Sequence, residues 1–295
     1  MQTVYLGTSD FAAAVLERLA ASEHRPALVV TRPDRPRGRG RHLAPPPVAE
    51  ASRALGIEVY QPESVNDDAA RERIAAARPD AVCVCAYGAL IKEPLLSEQL
   101  MLNVHPSLLP RWRGAAPVER AIMAGDEQTG VSIMRVTAGL DNGPVCLASS
   151  EPITPADTYG SLAERLQRLG GELLVRALDE SPPFTEQDDS AATYAEKITG
   201  ADRRLDGTRP AGELERVVRA LTPHIGASVE LADGTLLGVR EARVLPGGGP
   251  PAGVVSLDGE RPVLGCGRDA LELTIVQPPG KRPMGGEDFL RGLRR

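Results

Sequence analysis

The sequence predicts an α/β protein of 295 residues: an open, mostly parallel sheet with helices on both faces, then a smaller C-terminal OB-like β-barrel domain. Three observations predict it. Through the first 180 residues, apolar runs of strand length alternate with segments of helical spacing. At Ser181–Asp189 (SPPFTEQDD) that pattern breaks into a linker-like stretch. Beyond residue 205, short strand patterns separated by Gly and Pro turns take over. The expected division is a first domain over 1–180, a linker over 181–204 and a second domain over 205–295.

Taken in order, Thr3–Gly7 (TVYLG) reads as a buried strand, and Phe11, Val15, Leu16 and Leu19 give Phe11–Ala20 a helical stripe. Ala27–Thr31 is a second strand, followed by a loop whose prolines and glycines argue against regular structure. Helix returns over Val48–Leu55 and Ala69–Ala77, either side of a short strand at Glu58–Tyr60. Ala81–Ala86 (AVCVCA) is the most strand-like run, with Cys83 and Cys85 packed on one face. Met101–His105 is a further strand, Gly130–Thr137 and Val145–Ile153 read as a hairpin pair, and Thr158–Leu178 is a long amphipathic helix. In the second domain Glu213–Ala220 is helical. Ala227–Leu231, Leu236–Leu245, Gly253–Leu257, Pro262–Cys266 and Leu271–Gln277 are strands, with Asp233-Gly234 at the spacing of a tight turn.

Composition narrows the function classes. At 42% hydrophobic and 25% charged residues the chain can bury a core. No apolar stretch reaches the ~20 residues of a membrane span, and MQTVYLGTSDF has no signal-peptide blocks, so a soluble cytoplasmic protein is expected. The four cysteines include no C-x-x-C pair, and the four histidines lack ligand spacing, so no metal is expected. Only 3% aromatic residues argue against a base-stacking platform. The net charge of −6 conceals a basic island: Thr31–His42 (TRPDRPRGRGRH) holds five arginines against Asp34. A second basic cluster occupies the last twenty residues. Local basic patches on an acidic protein suit a polyanion that docks in one orientation and then leaves.

The chemistry concentrates in Leu102–Pro117 (LNVHPSLLPRWRGAAP). Asn103 and His105 lie two apart on a strand and therefore share a face, and Pro106 ends the strand at once. That places them at a carboxyl end, where open α/β sheets carry their sites. A neutral amide donor beside an imidazole can hold a carbonyl oxygen and stabilise the oxyanion formed on attack at its carbon. Asp141, in the loop Ala138–Pro144, is the candidate third member, able to approach His105 and relay protons. The first turn, Gly7-Thr8-Ser9-Asp10, is neither G-x-G-x-x-G nor a Walker loop.

Asn-x-His on a strand, then Ser-Leu-Leu-Pro, then Asp-x-Gly resembles the folate-dependent formyltransferase family, Rossmann-like in its first domain. GTSDFA, TRPDRPRGRGR, AYGALI, YAEKI and QPPGKRPM extend the resemblance over essentially the whole chain. They narrow it to the branch whose acceptor is initiator methionyl-tRNA. The resemblance implies transfer of a formyl group from 10-formyltetrahydrofolate to the α-amine of that tRNA, for translation initiation, by a monomer. It assigns catalysis to Asn103, His105 and Asp141, and the folate and formyl site to Ile91, Ser107, Leu108, Leu109 and Pro110. It assigns tRNA contacts to Arg35, Arg37, Arg39 and Arg41, with Lys281 and Arg282 in the closing motif. Ser9, Asn142 and Asp206-Gly207 depart from the family's usual Pro, Thr and Asp-Trp. Two alternatives stand beside this. One is formyl transfer to a small amine such as an amino-sugar nucleotide or glycinamide ribonucleotide, which would leave the arginine loop and the barrel without a task. The other is a non-catalytic RNA-binding module, which would have no need of Asn103, His105 and Asp141 together.

Overall fold

The structure, a computed structural model, describes residues 1–37 and 42–294, with the side chain of Arg37 outside the description. Its strands are β1 (Thr3–Gly7), β2 (Pro26–Val30), β3 (Arg35–Arg37), β4 (His42–Ala44), β5 (Val59–Tyr60), β6 (Ala81–Cys85), β7 (Met101–His105), β8 (Arg113–Gly114), β9 (Gln128–Arg135) and β10 (Val145–Pro152). These are followed by β11 (Tyr194–Ala195), β12 (Ala227–Glu230), β13 (Leu236–Leu245), β14 (Val255–Ser256), β15 (Val263–Gly265), β16 (Ala270–Gln277) and β17 (Met284–Gly285). The helices are α1 (Asp10–Ala20), α2 (Pro47–Ala54), α3 (Asp68–Ala76), α4 (Leu95–Glu98), α5 (Pro117–Ala124), α6 (Tyr159–Glu180), α7 (Ala211–Leu221) and α8 (Gly286–Leu293).

Packing separates two units: Met1–Gly114 with Gln128–Pro152 and Ala163–Tyr194, and Ala115–Glu127 with Ile153–Leu162 and everything from Ala195 onward. The first unit is built on a seven-stranded sheet of order β10-β9-β7-β6-β1-β2-β5. Its five strands from β7 to β5 run parallel, while β9 and β10 run antiparallel at one edge. The parallel strands are continuous apolar runs because both faces are covered. Val4, Leu6, Val30, Ile74, Val82 and Met101 sit together in the core, none more than 1% exposed. Each such fully buried aliphatic side chain contributes about 1.5–3 kcal/mol. Register then decides where function can sit. Gly7 lies opposite Cys85 and Val84 opposite Asn103, so the turns after β1, β6 and β7 emerge along one edge of the sheet.

Ser9 shows what its departure from proline does. Its hydroxyl accepts the Ala12 N–H at 3.2 Å and caps α1. The segment expected to lack regular structure is a correction: Arg35–Arg37 pairs antiparallel with His42–Ala44. Pro36 lies opposite Leu43, and a two-stranded ribbon leaves one edge of each strand unpaired, where a missing N–H is tolerated.

The second unit carries a six-stranded antiparallel sheet in which β12-β13-β16-β15-β14 are neighbours and β17 pairs with β16. Leu214, Val218, Leu221 and Phe289 from α7 and α8 bury against Leu237, Leu271, Leu273 and Val276. Helices α4, α5 and α8 were not anticipated. For α5 the signals were present, since Pro117 occupies its first turn and Gly125 closes it in the left-handed region at φ 79°. No helix among the described residues is long and apolar enough to cross a membrane.

Candidate active site

Strand β7 delivers Asn103 and His105 as its parity requires. His105 is 4% exposed, and the half-buried Asn103 amide has no hydrogen-bond partner among the described residues. A half-buried amide with free donors and a free acceptor is placed to take a substrate oxygen.

The loop after β7 then turns back on the strand. The Ser107 hydroxyl donates to the Arg111 carbonyl at 2.6 Å, and the Ser107 carbonyl accepts from the Ser132 hydroxyl at 2.8 Å. Ser132 Oγ in turn accepts the Leu109 N–H at 3.1 Å. Ser107 therefore shapes the loop from within, fully buried, and its hydroxyl is engaged there. Leu108 lies against Gly130 of β9, where a Cβ would stand 2.6 Å from Leu108 Cδ2 and 2.2 Å from the Ser149 carbonyl. Only glycine permits that approach. Leu109 and Pro110 line a cavity of about 290 Å³ with Val145, Cys146, Thr185 and Gln187.

The loop ends by placing the Trp112 carbonyl 2.9 Å from His105 Nε2. A carbonyl can only accept, so the hydrogen of that bond sits on Nε2. Nδ1 is left as the nitrogen open to proton exchange, and it faces Asp141 Oδ2 at 3.6 Å.

Asp141 arrives from the other side. Leu102 pairs with Arg135 and His105 with Ser132, so β9 ends away from the carboxyl end of β7, and residues 136–144 must fold back to reach His105. Two backbone features make this turn possible. Asp141 adopts φ 46°, in the left-handed region that Asp and Asn tolerate best after glycine. At Gly143 a Cβ would fall 1.9 Å from the Arg135 carbonyl, which explains the glycine of Asp-x-Gly. Asn142 accepts the Thr137 hydroxyl at 2.7 Å across the same loop. Asp141 Oδ2 accepts the Gly114 N–H at 2.8 Å, and Gln187 Nε2 donates to the Asp141 and Gly143 carbonyls at 2.9 and 2.7 Å.

Ile91 is 7% exposed, in the loop that follows β6. Asn66 pins both its neighbours, donating to the Leu90 carbonyl at 2.9 Å and accepting the Lys92 N–H at 2.8 Å. The N–H and C=O of Ile91 itself have no partner among the described residues. Thr8, in the first turn, donates to the Tyr87 carbonyl at 2.7 Å and ties that turn to the same loop.

The structure thus brings His105 and Asp141 together, with Asn103 on the same face of β7 and Ser107 to Pro110 in the loop that follows it. Of the arginine loop, Arg35 is exposed and Arg37 is described in its backbone alone, while Arg39 and Arg41 lie outside the described residues. Lys281 and Arg282 are exposed in the second unit, with no ion-pair partner among the described residues. No group of three or more His, Cys, Asp or Glu able to hold a metal occurs among the described residues.

Sequence reasoning missed Ser132, Asn66, Arg113 and Gln187. Ser132 carried a usable signal, because a lone Ser in the apolar run VSIM is expected to find a partner when buried.

The Formyl transferase family model matches residues 1–178, and the model of its C-terminal domain matches residues 197–294. A methionyl-tRNA formyltransferase of Gluconobacter oxydans is 43% identical over 295 residues, covering 99% of this chain and 97% of that protein. That of Methylococcus capsulatus is 44% identical over 297 residues, covering 98% and 96%. Among solved structures, HypX from Aquifex aeolicus in complex with tetrahydrofolic acid superposes with a TM-score of 0.66 at 18% identity, covering 98% of this chain and 47% of that one.

Proposed function

This chain belongs to the formyl transferase family, and on that premise we propose that it moves the formyl group of 10-formyltetrahydrofolate to the α-amine of initiator methionyl-tRNA. The observation that carries this reading is the end-to-end likeness, above 40% identity, to relatives named methionyl-tRNA formyltransferase. The site geometry supplies the chemistry. The α-amine, as the free base, attacks the formyl carbon; its C–N bond forms first, the bond to folate N10 then breaks, and the proton lost by the amine ends on N10. In between, the formyl oxygen carries negative charge. The unpartnered Asn103 amide meets that oxygen, and His105 flanks it from the same face of β7. Because Nε2 is engaged by the Trp112 carbonyl, Nδ1 is the nitrogen that passes the proton, with Asp141 opposite it to hold the charge that develops.

The folate is held by the backbone of Ile91 and by the Ser107-Leu108-Leu109-Pro110 loop, the backbone groups of Ile91 being open to a ring that offers donors and acceptors. The acceptor end of the tRNA meets Arg35, Arg37, Arg39 and Arg41, whose planar forks suit phosphates and base edges. Lys281 and Arg282 hold the body of the tRNA through its phosphates. Residues 1–180 carry the transfer and residues 205–295, read as an OB-like barrel, carry the tRNA, with 181–204 joining them. The protein works in the cytoplasm as a monomer.

The test is a direct transfer assay with 10-formyltetrahydrofolate and three acceptors: methionine-charged initiator tRNA, methionine-charged elongator tRNA and free methionine. Rapid formylation of the initiator alone is expected. Folate binding without transfer to any of the three would move the acceptor to a small amine.

A further inference from the structure

We propose that Gln187 is a positioning residue for Asp141, and that residues 185–193 act as a strap holding both catalytic loops in register. This rests on the reading of Asp141 given above.

The strap reaches three residues on each side, Pro110, Trp112 and Arg113 on one and Asp141, Gly143 and Val145 on the other. On the loop after β7, the Thr193 N–H donates to the Pro110 carbonyl at 3.2 Å, Thr193 Oγ1 accepts the Trp112 N–H at 2.9 Å, and the Thr193 carbonyl accepts the Arg113 N–H at 2.9 Å. Trp112 is the residue whose carbonyl fixes His105. On the loop after β9, Gln187 holds the Asp141 and Gly143 carbonyls, and Thr185 exchanges two backbone hydrogen bonds of 2.9 Å with Val145. One short segment therefore sets the His105 side of the pair and the Asp141 side.

The chemistry at Gln187 specifies an amide. Both hydrogens of Nε2 are directed at carbonyls, and Oε1 accepts Arg113 Nε at 3.0 Å. Arg113 is 3% exposed and is held by Asp189 at 2.7 Å, so the acceptor side of the amide rests on a fixed buried guanidinium. A group that donates twice on one side and accepts on the other is a primary amide, and no other side chain of this length meets both demands. The turn that it clamps needs clamping. Asp141 sits at φ 46°, a conformation that persists in a non-glycine residue only where its surroundings hold it. The Asp141 carboxylate has to stop within reach of His105 Nδ1 from a strand that ends at the far side.

The experiment is a mutant cycle in the full-length protein. Gln187→Glu keeps the shape and the contact with Arg113 but sets a carboxylate against two carbonyls. Gln187→Met keeps the shape with no polar group. Each is made alone and with Asp141→Asn, and single-turnover transfer, KM for both substrates and thermal midpoint are measured. The expected result is a kcat about 10- to 100-fold below the parent with both KM values within about threefold. The loss should vanish in the Asp141→Asn background, where adding Gln187→Glu changes the rate by less than about threefold.

A parental kcat in both Gln187 variants overturns the proposal. So does a loss that multiplies undiminished onto Asp141→Asn, because Gln187 would then act through something else. Failure of both variants to fold assigns Gln187 to stability alone and overturns it too. A fully active Asp141→Asn protein would instead remove Asp141 from the mechanism, which separates that failure from this one.

Discussion

Asp141 Oδ2 stands 3.6 Å from His105 Nδ1 while accepting the Gly114 N–H at 2.8 Å. The carboxylate is thus held by the backbone of β8 and only faces the imidazole. At that separation no hydrogen bond joins the two groups, and the bond that fixes the carboxylate does not involve the imidazole. On the proposed reading, this arrangement lets Nδ1 exchange a proton while the carboxylate stays in place.

Asp141→Asn tests that directly, since the amide oxygen can still accept the Gly114 N–H and only the charge is lost. Single-turnover transfer should fall at least about 10²-fold, and tRNA affinity should stay near the parent value. His105→Ala should lose a comparable factor, and Asn103→Ala about 10²–10³ as one oxyanion donor disappears. Rates within tenfold of the parent would remove the residue concerned from the chemistry.

Arg39→Ala bears on acceptor choice. A loop that reads the acceptor end contributes to the difference between tRNAs more than to folate affinity. The expected outcome is a rise in formylation of methionine-charged elongator tRNA relative to initiator, with KM for 10-formyltetrahydrofolate unchanged. An unaltered ratio between the two tRNAs would mean that Arg39 does not read the acceptor end.

The parts of this molecule legible in its sequence are those where a local pattern and the tertiary demand coincide. Strand β7 is one, because MLNVH is both a strand pattern and an abrupt stop at Pro106. Strand β13 is another, bounded at both ends as its alternation and the Asp233-Gly234 turn require. Helix α5 was hidden because GAAPVERAI reads as the tail of a loop until Pro117 is taken as a first helical residue. At the site, Asn103 and His105 announce themselves by spacing on one strand, whereas Asp141 reaches them only through a loop that doubles back. Gln187 was not legible at all. It lies 46 residues from Asp141, in a stretch whose composition reads as linker, and nothing local marks an amide whose partners are backbone carbonyls of another loop.

Lys281 and Arg282 test the role of the second unit. If both meet phosphates, replacing the pair with Ala weakens initiator and elongator tRNA alike. It also flattens the slope of log affinity against log salt by about 1.5. Folate affinity and the transfer rate at saturating tRNA should not change. An unchanged salt slope would take this corner of the protein out of the RNA interface.

Cys83 and Cys85 predict how the fold responds to alkali. Both thiols are buried in β6, and burial pushes each up to about 12 from the ordinary 9.0, because a thiolate there would leave water without compensation. Above pH 9 the unfolded chain releases these protons and the folded chain keeps them. Stability that is whole below pH 9 is therefore lost progressively as pH rises toward 12. Tyr5, buried beside them, is shifted in the same direction and adds to the slope. Urea unfolding should give a plateau to about pH 9 and a decline beyond it, and Cys83→Ala should make the decline shallower by one proton. Alkylation at pH 8 should modify the partly exposed Cys146 and Cys266 while sparing Cys83 and Cys85. A stability profile that stays flat from pH 9 to 11, or early modification of Cys85, would show that β6 opens to solvent far more readily than its burial allows.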